Sequence, residues 1–583
     1  MQVAKPHLLA VRALQATRRL HLPTYLAIRY LVDSVFGSAE SGWIETTLPR
    51  KYPRRSVPRF QSVMRFKKLN GSGEPEYREF TIPSPSTALT EALVLSHMGG
   101  SIGFVKSRSV YSYLWPTRQD KSPFSFEHYV NGYKTRNTDI ARYLETNPNY
   151  VVVVSDIEKF YPNIQKSRVK PLFIAALNVS EMPTEIRETA MHLLAHLFSL
   201  MPGDKGVPTG PELSHVIGDL ALAEIDKFFD KKYPGAYFRY VDDIVIAVPK
   251  CEVEAALHLL HTSASVEGLT IHPDKSDQIP GHEWLAHGPH HLHKVTQNSF
   301  EALIFQIKVF LRTHPGSTES LSAKLDQLGF AIPIKRLTVA AQSDGFGRRL
   351  AKFLWQRWRI ALSASNASER SILDRAEAVR SAVRSELHVK LSDLLPEGPT
   401  LRKWHIQKLR YLTNRAFYLF PTKELKFLFD PLCRLPEFAE TVALLRLLID
   451  FDIFPILQMP GAALTAGCGV LRQTGQRLPK IDKLAVVTPV ILESLAIIMT
   501  FDVCDIADEV INALAPDERD FLLFCSGNPQ LQRAARSFTY LDEVRCLQMS
   551  QSSADRFAKI DSRFSDQESA VLDALDIGGD YEY

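Results

Sequence analysis

Cysteine is scarce. The 583 residues contain six, Cys251, Cys433, Cys468, Cys504, Cys525 and Cys546, and none stand at the paired spacing of a zinc knuckle or a disulfide framework. That dispersal excludes a disulfide-stapled secreted scaffold and fits a reducing, cytoplasmic setting. A secretory pattern is missing at the N-terminus. The most apolar stretch, 485–501, is interrupted by Pro489 and Glu493, so no membrane span is expected. An excess of one charge is missing too, since 69 Lys and Arg against 65 Asp and Glu leave a net charge of +4. Any contact with a polyanion must therefore come from local clusters rather than from the average. The chain also lacks an exact repeat period, and at roughly 100–200 residues per domain it is too long for one core.

The basic residues do cluster. Arg50, Lys51, Arg54, Arg55, Arg59, Arg65, Lys67 and Lys68 fall in one stretch broken by Pro53 and Pro58, which reads either as a polyanion-binding face or as a solvated surface. Before it, 7–36 has the apolar spacing of one or two amphipathic helices and reads as a packing extension. After it come a short strand ending at Pro83 and a helix over 86–98 with Ser86 or Thr87 as N-cap. An aromatic-rich region holds Tyr111, Tyr113, Trp115, Phe124, Phe126, Tyr129 and Tyr133, suited to base stacking or to plain core packing.

The chemistry centres on 237–248, Tyr-Phe-Arg-Tyr-Val-Asp-Asp-Ile-Val-Ile-Ala-Val, where Asp242 and Asp243 sit between two strand-like runs. An exposed Asp-Asp turn is the plainer reading, because turns favour Asp for local backbone reasons. The run Ile244 to Val248 argues against it, since a continuous apolar strand belongs in an interior. Adjacent carboxylates there repel, and a divalent cation would relieve the repulsion. A second buried strand, 149–156, ends in Asp156. If the two strands are neighbours, three carboxylates converge as oxygen ligands for Mg2+, and paired ions of that kind serve phosphoryl transfer. Between the strands, a Gly- and Pro-punctuated loop at 203–214 opens onto a helix over 211–230, free to meet a flat ligand such as a nucleobase. A strand and turn over 268–275 present Lys275. His282, His287, His290, His291 and His293 suggest zinc only weakly, with no cysteine near.

Beyond about residue 300 the strand-like runs stop. Helical periodicity covers 301–313, 346–362, 369–391, 401–420, 436–450, 485–501, 504–514, 517–526 and 529–549, which suggests a stacked helical array. Basic and aromatic residues interleave over 346–426, either to follow a nucleic-acid strand or as core aromatics under a basic face. The acidic, glycine-containing end reads as flexible.

In this order of parts the chain resembles the reverse transcriptases: strand to Asp156, glycine loop 206–210 with its helix, Tyr240-Val-Asp-Asp243, then Lys275. The resemblance covers roughly 55–280. It implies an α+β fingers and palm over 51–300, after an N-terminal helical extension at 1–50, and it makes Asp156, Asp242 and Asp243 the Mg2+ ligands. It makes Tyr161 the residue that blocks a ribose 2′-hydroxyl, Arg78 a grip on the incoming triphosphate, and Lys275 the partner of the leaving pyrophosphate. Pro208, Thr209 and Gly210 become the loop against the nascent pair, with Thr209 where many relatives carry glutamine. A palm followed by an all-α, HEAT-like repeat domain over 301–583 is similar to the bacterial abortive-infection and defence-associated reverse transcriptases. That resemblance implies antiphage defence and synthesis from dNTPs, untemplated and primed on a tyrosine in some members. The single-stranded DNA product is then covalently attached, an RNA partner is sometimes used, and the chain assembles as a trimer or hexamer. Tyr581, Tyr583, Tyr25 and Tyr30 are the candidate primers. The alternatives are an RNA-templated enzyme of retron or intron type and a non-catalytic sensor scaffold.

Overall fold

A computed structural model describes residues 6–18, 20–22, 24–25, 28, 58–117, 119, 122, 124–272, 276–288, 296–332, 334, 337–338, 367–394 and 403–525. Among these, every strand precedes residue 281. β1 (Phe60–Leu69) and β2 (Pro75–Pro83) form an antiparallel ribbon. β3 (Tyr150–Asp156), β4 (Tyr237–Tyr240), β5 (Asp243–Pro249) and β6 (Asp277–Pro280) form a second sheet in the order β4-β5-β3-β6, with antiparallel neighbours throughout. Ile244 to Val248 of β5 are each at most 1% exposed. That burial explains why the strand is apolar at every position instead of alternating. The helices Val253–Val266, Gly281–His287, Glu212–Lys232 and Tyr129–Thr146 pack against this sheet.

The helix Pro6–Arg18 buries Leu9, Ala10, Ala13 and Leu14 against the helix Pro85–Met98, in keeping with a packing extension. The second helix is capped by Ser84, not by Ser86 or Thr87; its hydroxyl accepts from the Thr87 N–H at 3.4 Å. Pro85 lacks an N–H and has φ already preset, so it takes the first helical position and moves the cap one residue earlier.

Two hydrophobic cores divide the chain, one running from Leu9 to Trp284 and the other from Phe300 to Cys525. In the second, Glu369–Leu394 packs on Lys403–Leu419, and Ala439–Ile449, Ala462–Thr474, Pro489–Phe501 and Pro516–Cys525 pack each on the next. The segments 346–362 and 529–549 lie outside the described residues. Helix Ala462–Thr474 is missed by periodicity because Gly467 and Gly469 lower its propensity. Packing overrides this, since a Cβ on Gly467 would stand 2.6 Å from Leu444 and 2.9 Å from Leu447. Helix Thr318–Gln327 is likewise additional, and the helix expected over 504–514 shrinks to Asp508–Asn512.

Much of the basic character is absorbed by packing. Arg415 is buried with its guanidinium 3.0 Å from the centre of the Tyr411 ring, Arg410 donates to the Glu437 carbonyl at 2.8 Å, and Lys408 pairs with Glu386. These three basic residues therefore serve the packing of the helical unit. Arg65 behaves similarly. Its Nη1 lies 2.6 Å from Glu493 of the helical unit, and both side chains are largely buried. Burial pushes the Glu493 carboxyl above its ordinary range while Arg65 pulls it back. Phe66 and Leu69 pack on the same core, and the Tyr77 hydroxyl donates to the Gln458 carbonyl at 3.0 Å, so the ribbon is fastened to the helical unit along its length. Arg65→Met should lower the stability of the full chain by about 3–5 kcal/mol, because it strands Glu493 in the interior. The double change Arg65→Met with Glu493→Leu should recover most of that loss in chemical unfolding followed by circular dichroism.

Candidate active site

Tyr240 pairs with Asp243 across β4 and β5, which leaves Val241 and Asp242 as a two-residue hairpin loop. Such loops favour Gly, Asn or Asp where φ is positive. Here Val241 stands at φ 56°, where a β-branched residue costs on the order of 1–3 kcal/mol and persists only if its surroundings hold it. They do hold it. Val241 is buried, its N–H donates to Ser112 Oγ at 2.9 Å, and its carbonyl accepts from Arg239 Nη1 at 2.9 Å.

The register sets Asp156 directly opposite Asp243, so their Cβ atoms are about 5 Å apart, with Asp242 next to them in the loop. The backbone register thus places the three aspartates named from sequence at one end of the sheet. All are hard oxygen donors, a set that suits Mg2+ and not a soft metal. Among the described residues no group of three or more His, Cys, Asp or Glu side chains is gathered closely enough to hold a metal ion, these three aspartates included. What the backbone supplies is their convergence.

Beneath the loop lies a charge network that sequence reasoning misses. Arg239 is 1% exposed, and its Nε and Nη2 each donate to an Asp226 carboxylate oxygen at 2.7 Å. Its Nη1 and Nη2 also reach Asp219 Oδ1 at 3.3 Å. Asp219 in turn pairs with Lys106, whose Nζ donates to the Ser112 carbonyl at 3.1 Å, and the Tyr237 hydroxyl donates to Asp226 at 2.8 Å. Two cations and two carboxylates balance. Burial works against the Arg239 charge, but Asp226 and Asp219 outweigh it and raise its pKa. Burial lowers Lys106, with Asp219 opposing. The signal in the sequence was an arginine inside an apolar strand, together with Asp219 and Asp226 one heptad apart on the neighbouring helix.

Tyr161, on the short helix Phe160–Asn163, is buried, and its hydroxyl hydrogen-bonds with His215 Nδ1 at 2.7 Å. His215 stacks on Tyr113 at 3.8 Å, and burial, with the Lys106 charge second, drives its pKa down to about 3. Gly218, one turn on, leaves room for these rings, since a Cβ would stand 3.1 Å from Phe160 and 3.4 Å from Tyr161. The loop at 206–210 bonds to this helix through Val207 N–H to the Tyr161 carbonyl at 2.9 Å, and to β2 through Thr81 N–H to the Thr209 carbonyl at 2.7 Å. Gly210, at φ 124°, is the residue this crossing requires: a Cβ would lie 2.3 Å from the Thr81 carbonyl. Pro208 is buried between them.

Other expected residues fare differently. Arg78 stands opposite Arg65 in the ribbon and shares its face, and no described contact joins it to the carboxylates. Lys275 lies outside the described residues. On either side of it, His272 N–H donates to the Asp156 carbonyl at 2.8 Å and Ser276 Oγ lies 3.3 Å from Ser155 Oγ. Tyr25 is buried in the first core, a poor position for a primer, while Tyr30, Tyr581 and Tyr583 fall outside the described residues. Half-buried Tyr113 and Trp115 pack on buried Phe126 and around Lys106, at the edge of the first core. His282 is exposed, and the side chains of His287, His290, His291 and His293 are outside the described set. No described helix is long and apolar enough to cross a membrane.

No protein-family model matches the chain, and no curated protein does either. Among solved structures it is similar to telomerase from Candida albicans in complex with a fragment of telomeric RNA, at 10% identity over 68% of this chain and 70% of that one. The TM-score is 0.28, too low to bear on fold or chemistry.

At the start of the helix Glu212–Lys232 two acids stand together, Glu91 buried and Glu212 half-buried. Glu91 accepts from the Leu213 N–H at 3.3 Å and Glu212 from Ser125 Oγ at 2.7 Å. Burial, then the Glu212 charge, pushes Glu91 up to about 8. A raised acid holds its proton in the folded state, so its contribution to stability is complete below the unfolded pKa near 4.5 and is lost as pH rises through about 8. The melting temperature of Glu91→Gln should therefore fall less than that of the wild type between about pH 5 and pH 9, measured by thermal unfolding.

Proposed function

We propose that this chain is a metal-dependent nucleotidyltransferase of the reverse-transcriptase type that adds deoxynucleotides to a growing DNA strand. The observation that carries the reading is the cross-strand pairing of Asp156 with Asp243, with Asp242 beside them in a backbone-held loop. Asp156, Asp242 and Asp243 would hold Mg2+, which when bound supplies charge neutralisation at the phosphates and lowers the pKa of an attacking hydroxyl. In the reaction a 3′-hydroxyl oxygen bonds to the α-phosphorus of a dNTP, the bond to the bridging oxygen breaks, and pyrophosphate leaves while the hydroxyl proton passes to solvent. The chain's own share is orientation. In this reading Tyr161 would meet the sugar, Pro208, Thr209 and Gly210 the nascent pair, Lys275 the pyrophosphate and Arg78 the triphosphate.

We further infer the setting that the resemblance implies: an antiphage polymerase that works without a template and starts on a tyrosine hydroxyl, with an RNA partner and self-assembly as additional features of that group. The long helical unit that follows the sheet supports this version over one with a retroviral arrangement. The buried Tyr25 moves the priming proposal to Tyr30, Tyr581 and Tyr583.

Purified protein incubated with dNTPs and Mg2+ should form polymer without added nucleic acid; incorporation only on an RNA template would move the reading to the retron or intron type. Asp242→Ala should cut incorporation by about a thousandfold or more while the circular dichroism spectrum stays unchanged. Full activity in that variant removes the assignment and revives the scaffold reading. Tyr161→Ala should raise the use of ribonucleotides relative to deoxynucleotides by about tenfold or more in single-nucleotide incorporation.

A further inference from the structure

We propose that Ser112 and Arg239 are positioning residues for the metal-binding carboxylates, acting through the backbone of Val241. The inference rests on the reading of Asp156, Asp242 and Asp243 as metal ligands. Asp242 follows Val241 directly, and Val241 is a β-branched residue at φ 56°. A loop left to itself would relax from that conformation and carry the Asp242 carboxylate with it. Both polar atoms of Val241's backbone are taken, one from each side. Ser112 Oγ accepts from the N–H at 2.9 Å, and Arg239 Nη1 donates to the carbonyl at 2.9 Å.

Each holder is itself fixed. Arg239 is gripped by both oxygens of Asp226 at 2.7 Å, and its own backbone joins the 109–111 segment: Arg239 N–H donates to the Ser109 carbonyl at 2.8 Å, and Tyr111 N–H to the Arg239 carbonyl at 2.9 Å. Ser112 follows on that segment, and its carbonyl accepts from Lys106, which pairs with Asp219, which in turn meets Arg239. Serine and arginine are therefore two ends of one closed, charge-balanced circuit through Lys106 and Asp219. Gly132 lets a helix seat against this segment, since a Cβ there would lie 1.9 Å from the Tyr111 carbonyl. The circuit ends on the backbone of the residue before Asp242 and so restricts the loop before any ion arrives, which is how outer partners of a metal ligand raise affinity.

The test uses the full-length chain and Mn2+ as the probe, with free ion counted by electron paramagnetic resonance. Ser112→Ala should keep the wild-type melting transition to within a few degrees and weaken Mn2+ binding by about tenfold. It should raise by a similar factor the Mg2+ needed for half-maximal incorporation, with the rate recovering at high Mg2+. Ser107→Ala serves as the control, because Ser107 lies on the same segment but bonds to Asp230; it should leave Mn2+ binding unchanged. Arg239→Lys keeps the charge but loses the fork, and should behave like Ser112→Ala if it folds. Wild-type Mn2+ binding and an unmoved Mg2+ curve in Ser112→Ala would overturn the proposal. So would an activity loss that high Mg2+ fails to restore, or an equal effect of Ser107→Ala. If Asp242→Ala and Asp156→Asn still bind Mn2+ normally, the metal-site reading itself fails, an outcome separable from failure of the positioning role.

Discussion

A guanidinium at 1% exposure inside an apolar strand must be answered by anions, and the structure around the candidate site follows from how Arg239 is answered. Asp226 and Asp219 come from one helix, a heptad apart, so pairing both with Arg239 fixes that helix in rotation and height against β4. The same helix begins just past the loop at 206–210 and carries His215, the partner of Tyr161. Tyr161, the glycine loop and the aspartate hairpin are thus referred to a single element. The second cation, Lys106, completes the charge balance and brings the 106–113 segment up to the edge of β4. Buried charges of this kind are weak sources of stability but strong sources of register, because few alternative packings satisfy all of them.

The β1–β2 ribbon plays a comparable part between the two cores. At one end Thr81 is bonded to the glycine loop, and further along Arg65 and Tyr77 are fastened to Glu493 and Gln458 of the helical unit. A ribbon of two strands is marginal alone, so its order comes from these attachments. The helical unit is consequently a structural neighbour of the loop beside Tyr161, through one ribbon and a few polar contacts.

The sequence was legible where one force dominated. Ile244 to Val248 and Val151 to Val154 read as interior strands; the first is buried throughout and the second at Val152 and Val153, and the adjacency of Asp156 to Asp243 followed once they were neighbours. It was illegible where the outcome depended on long-range pairing. Arg65 reads as a surface charge because Glu493 lies far along the chain, and Arg239 as a strand charge because only the packing of the preceding helix on β4 brings Asp226 to it. The helix Ala462–Thr474 was hidden by two glycines whose use, close approach to Leu444 and Leu447, exists only in the packed state. The aromatic stretch 111–133 was ambiguous for a related reason: His215 and Lys106, against which Tyr113 and Phe126 pack, give no sign in the local composition.

One strained residue beside three carboxylates has a physical logic. Like charges brought together repel, and a flexible hairpin would lower that repulsion by opening. Glycine at position 241 would remove the backbone cost but would also permit that opening. Valine accepts the cost and is buried, its two backbone groups held from below, so the loop has few conformations left to which repulsion could drive it. Strain in Val241 and repulsion among Asp156, Asp242 and Asp243 are then two loads on one support, the Arg239 circuit. Under the proposed reading, a cation that cancelled the repulsion would remove one of these loads, so rigidity as well as charge would favour its binding.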